Sequence, residues 1–170
     1  MNTLYLAGAR ALVVVMTCLG MAACNDRAEQ KQAVAPVAFH QSDECHVCGM
    51  VIADFPGPKG EVVEKDTVKK FCSTAEMLGW WLQPENHRPS ANLYVHDMGK
   101  STWEKPDDQY LIDATQAYYV IGTQLKGSMG VVLASFSDEA AARKLASEQG
   151  GRVLRFEEID LVLLQQSPAM

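Results

Sequence analysis

The chain has 170 residues, of which 21 are acidic and 15 basic, giving a formal net charge of −6. No Lys/Arg cluster or basic stripe occurs along it, which argues against a nucleic-acid-binding surface. The length is enough for one ordinary domain or two very small ones.

The N-terminus carries one positive charge, Arg10, then a short apolar run from Ala11 to Leu19 and a series of small residues. That is the pattern of a secretory signal over residues 1–23, too short and wrongly flanked for a permanent membrane span. It ends Met21-Ala22-Ala23-Cys24, which resembles a bacterial lipobox. In that pattern Cys24 is acylated and becomes the first mature residue, a tether that says nothing about the fold. Asn rather than Asp at residue 25 favours the outer membrane, facing the periplasm. Cleavage removes Arg10 and no acid, leaving fourteen basic against 21 acidic residues, a formal −7. Residues 24–42 are polar and Ala/Gln-rich without apolar periodicity, and read as a lipidated cysteine followed by a flexible linker.

Val47 to Ala53 is a short apolar run, read as a strand, and "PGPKG" at 56–60 is a turn. Residues 61–71 look extended, in two strand pieces. Ser73 and Glu76 form the S-x-x-E signature of a capping box, and Met77, Leu78, Trp81 and Leu82 mark one apolar helical face that ends before Pro84. Residues 91–99 return to strand character. The second half repeats the order. Residues 117–122 and 130–136 read as strands, Ser137-Asp138-Glu139 opens a helix that runs to Gln149, and 152–156 is a strand followed by a short apolar helix. The expectation is an α+β fold of two similar ββαβ units in tandem, over 43–105 and 106–170.

Cysteines stand at 18, 24, 45, 48 and 72. The first leaves with the signal and the second carries lipid, so three thiols remain in an oxidising compartment and one cannot pair within the chain. "ECHVCGM" at 44–50 lacks the C-x-x-C-H of a haem attachment site. A structural zinc site is short of donors, with Cys72 and the scattered His40, His87 and His96 as the remainder. A redox C-x-x-C would sit at a helix start, whereas Gly49 to Ile52 reads as strand. A Cys45–Cys48 disulfide would close too small a loop to gain much. On a strand, Cys48 and Met50 share a face, as do His96 and Met98 on the later strand. If those strand ends meet, Cys48, Met50 and Met98 converge, with His46 or His96 nearby and Cys45 as a second thiolate. That mixed thiolate–thioether set suits Cu(I), a soft ion content with few ligands. Cys72 and Met129 are read as structural.

The stretches "CHVCGM", "KFCSTAEM", "WWLQP", "LYVHDMG", "AYYV", "GSMG" and "GGRVLRFEEI", in that order, resemble the NosL-type nitrous oxide reductase accessory lipoproteins. The resemblance implies a Cu(I)-binding chaperone with Cys48, Met50 and Met98 at the family's Cys-Gly-Met and Asp-Met-Gly positions, and a His ligand at His46 or His96. It also implies two ββαβ units related to the organomercurial lyase fold. The implied partner is the membrane-bound Nos assembly machinery, an ABC-type complex, and through it the copper–sulfide centre of nitrous oxide reductase. The competing function is a periplasmic thiol–disulfide oxidoreductase or an organomercurial-lyase-like enzyme using the C-x-x-C. The leading reading is a carrier without turnover, since no GxSxG, phosphate loop or paired carboxylates near a His occur.

Overall fold

A computed structural model describes residues 34–165, so the signal, Cys24 and most of the linker lie outside the described residues. Strands β1 (Gly60–Glu64) and β2 (Thr67–Phe71) form a tight hairpin whose turn is Lys65-Asp66. Helix α1 (Thr74–Trp81) follows, and β3 (Asn92–His96) returns antiparallel to β1. The second half gives β5 (Tyr118–Ile121), β6 (Leu133–Phe136), α2 (Glu139–Gln149) and β7 (Arg152–Arg155), then the short α3 (Leu161–Leu164). The sheets run β2-β1-β3 and β6-β5-β7, each with the unit's first strand in the centre. The expected ββαβ repeat is therefore present in topology as well as in order. One extra strand, β4 (Leu111–Asp113), lies beyond residue 105 yet pairs with β3 and completes the first sheet.

Local chemistry explains the elements. Ser73 caps α1 by accepting the Glu76 N–H at 3.1 Å, and Asp138 and Asp160 cap α2 and α3 in the same way. Central strand β1 is buried on both faces. Helix α1 packs on it so closely that a Cβ at Gly60 would lie 2.7 Å from Met77 Sδ. One core spans both units, joining Phe71, Cys72 and Met77 to Tyr119, Leu133 and Leu154. A smaller cluster around Val120, Ala134, Phe136 and Ala142 lies under α2. Buried Asp97 joins the units by accepting from the backbone of Gly99 and the hydroxyl and N–H of Ser137. Ser135 completes the join by donating to His96 O at 2.7 Å.

Two expectations differ. Residues 47–53 form no strand: 45–50 make a turn closed by the bridge Glu44↔Val51, followed by a single 3-10 turn at Ile52–Asp54. The cause is Gly49, whose φ of 71° breaks the extended path. The described part of the linker, 34–42, is tied down rather than free. Val37 and Phe39 N–H groups donate to Glu61 and Asp108, Val34 O accepts from Tyr94, and Ala38 O accepts from Lys70. Among the described residues no helix is long and apolar enough to cross a membrane.

Candidate metal centre

The turn at 45–50 is held by Cys45 N–H to Met50 O and Gly49 N–H to Cys45 O, both 2.9 Å. His46 N–H donates to Lys70 O at 2.8 Å and so lays the turn across the end of β2. The residue after β2 is Cys72, and one helical turn further on is Glu76. Three segments thus bring Cys45, Cys48, Cys72 and Glu76 together, with their donor atoms all within 4.8 Å of one another.

Glu76 Oε2 is the focus. It accepts from Cys72 Sγ at 2.7 Å and Cys45 Sγ at 3.0 Å, and lies 3.7 Å from Cys48 Sγ. Cys48 and Cys72 sulfurs are 3.8 Å apart, and the Ser128 hydroxyl is 3.2 Å from Cys72 Sγ. All three cysteines are free thiols. Cys45 and Cys72 are buried, whereas Cys48 and Glu76 are half-buried and give the cluster an open side. Burial pushes the Cys72 thiol well up, and the adjoining carboxylate adds to it; burial raises Cys45 as well. Without a metal the Cys45 and Cys72 thiols therefore stay protonated, and a soft cation that took them as thiolates would release protons. Behind the cluster, Lys59 is buried and donates to the backbone oxygens of Phe55, Pro56 and Cys72. Those contacts include no carboxylate partner, and burial pulls its pKa down to about 8.

The expected ligands divide. Cys48 and Cys45 are in the cluster. Met50 is half-buried and packs against the same core as both of them. Met98 packs in the separate cluster under α2, and its N–H donates to Ser135 O at 2.8 Å. The strand geometry that was to bring 48, 50 and 98 together is absent, because 45–50 turns and the end of β3 crosses to the second unit. His46 is exposed, with its ring edge-on to Trp80 at 5.4 Å and Phe71 at 5.8 Å, outside the thiol group. His96 is buried with both ring nitrogens engaged. Nδ1 accepts the Lys59 N–H at 3.1 Å, which fixes the proton on Nε2, 2.9 Å from Asp108 Oδ1.

Cys72 and Glu76 are the residues the sequence reading missed. The odd thiol count, which left one thiol without a pair, was the signal in the sequence that could have pointed to Cys72. Glu76 was assigned to a capping box, yet only the Ser73 half forms and the carboxylate turns to the thiols. With these two, four donors are present, so the shortage held against zinc is gone.

Sequence comparison matches residues 36–164 to the NosL family. The chain is 64% identical over 170 residues to the copper-binding lipoprotein NosL of Stutzerimonas stutzeri, covering all of this chain and 90% of that one. It is 32% identical over 146 residues to the copper-binding lipoprotein NosL of Achromobacter cycloclastes, covering 82% of this chain and 74% of that one. The crystal structure of the copper chaperone NosL from Shewanella denitrificans superposes with a TM-score of 0.71 at 42% identity, over 78% of this chain and 98% of that one. With its matched profile, its thiol cluster and its paired ββαβ units, the chain belongs to the NosL family.

Proposed function

We propose that this chain is a Cu(I) carrier that takes the ion as cargo on Cys45, Cys48 and Cys72, with Glu76 beside them, and performs no catalytic turnover. The observation that carries the reading is the convergence of three free thiols on one side of a buried core. Thiolates are soft ligands, and Cu(I) is satisfied by two or three of them, which leaves the carboxylate to receive a displaced proton or to complete the shell. The relatives named as copper-binding lipoproteins and as a copper chaperone support the choice of copper. The same names support lipid anchoring, which would fall on Cys24 and hold the domain at a membrane facing the periplasm. Outer-membrane placement rests on Asn25 alone. Delivery to an ABC-type Nos assembly complex, for the copper–sulfide centre of nitrous oxide reductase, is the destination that the family resemblance suggests.

Anaerobic titration of the reduced chain against a Cu(I) competitor tests the reading. One Cu(I) per chain is expected. Cys48→Ala should weaken it by more than the roughly 10- to 100-fold that loss of an outer-shell partner costs. Zn(II) should compete poorly. A chain that prefers Zn(II), or that binds Cu(I) equally well after Cys48→Ala, would contradict the reading.

A further inference from the structure

The connection between β5 and β6 passes beside the thiols: Ser128 Oγ is 3.2 Å from Cys72 Sγ. The next residue is Met129, which is 53% exposed. The other methionines among the described residues are placed differently, with Met77 buried and Met50 and Met98 half-buried against core clusters. Met129 belongs to neither cluster, so packing does not account for a large thioether held in water. It lines a groove of about 350 Å3 that also takes in Glu76, Trp80, Leu161 and Val47. Val47 stands between Cys45 and Cys48 and is itself 51% exposed. The groove therefore opens to solvent beside the cluster, sharing Glu76 with it, and carries a soft, neutral sulfur in its lining.

We propose that Met129 is the exchange ligand of this site, the thioether through which Cu(I) leaves and enters the cysteine cluster. The proposal rests on the copper reading above. Three thiolates, two of them buried, hold a soft ion firmly and give an incoming acceptor access on one side only. A thioether carries no proton at any ordinary pH, so it can join the copper shell without waiting for deprotonation. In the step, a lone pair of Met129 Sδ forms a Cu–S bond while one cysteine Sγ–Cu bond breaks. The copper stays monovalent, no electron is transferred, and the freed thiolate takes a proton from water. Ligands of the acceptor then displace the two remaining cysteine sulfurs, each freed thiolate taking a proton from water, and last the thioether; loading runs through the same states in reverse.

Met129→Leu keeps the volume and apolar character and removes only the sulfur. The full chain, reduced and loaded with one equivalent of Cu(I), is mixed with excess bathocuproine disulfonate under anaerobic stopped flow, and its Cu(I) affinity is measured separately. The expected result is withdrawal slowed by roughly tenfold, the scale of one lost contact in a transition state, with affinity unchanged within about threefold. In 13C-methyl-methionine NMR, the Met129 signal, assigned by its absence in M129L, should shift at substoichiometric Cu(I). Equal withdrawal rates, an unmoved methyl signal, or an affinity loss as large as the rate loss would each overturn the proposal. Failure of the unaltered chain to take up any Cu(I) would remove the copper reading, and this inference with it.

Discussion

At the scale of single residues, Gly49 and Glu76 decide the site. Gly49 has φ +71° and nothing within 4 Å of where its Cβ would be, so it is required by backbone conformation and not by space. Gly49→Ala should cost about 1 kcal/mol in the left-handed region. It should lower both the thermal midpoint and the Cu(I) affinity, because the same turn aims Cys45 and Cys48. Glu76 Oε2 stands 2.7 Å and 3.0 Å from two thiols, so Glu76→Gln should leave copper bound and weaken it less than any cysteine loss. Competition titration of Glu76→Gln beside Cys48→Ala gives that ranking. Cys48 was legible because C-x-x-C-G-M is dense in sulfur. Cys72 was not: a lone cysteine after a strand looks like any small core residue, and only the long-range meeting of the 45–50 turn with β2 gives it partners.

At the scale of elements, β1 carries a strain that pH should expose. Glu61 is wholly buried in this central strand; Oε1 accepts the Val37 N–H at 2.7 Å, while Oε2 has no partner among the described residues. Burial holds its carboxyl up to about 7. A carboxyl raised on folding binds its proton more tightly folded than unfolded, so stability should fall as pH rises from about 4.5 through about 7 and level off beyond it. Glu61→Gln should flatten that segment of a denaturation series taken from pH 4.5 to 8. Both helix starts, the hairpin and the central strands were readable from capping residues and β-branched runs. The 47–53 segment was misread because its apolar run matches a strand, while one glycine with positive φ turns it. β4 escaped notice because three residues cannot show a period.

At the scale of the whole molecule, the two units act as one body through Asp97, Ser137, Ser135 and the shared core. Asp97→Ala should leave the Ser137 hydroxyl and the backbone N–H groups of Gly99 and Ser137 without their buried charged acceptor. The expected loss is roughly 3 kcal/mol of unfolding free energy, with Cu(I) stoichiometry retained, read by urea denaturation and titration. The duplicated topology was legible in the repeated order of strands and caps; which sulfurs meet was not, since that depends on how the 45–50 turn folds back onto the end of β2 within the first unit. The His-x-Met stretch shows the limit. Met98 looked like a partner for Cys48, yet the crossing that brings Ser135 to its N–H sends it under α2. The most direct measurement is therefore Cu(I) affinity of Cys72→Ala set beside Met98→Leu, each reduced and checked for folding. Loss of at least about 100-fold in the first and a change within about threefold in the second is predicted. Near-normal affinity without Cys72, with binding lost in Met98→Leu, would contradict it.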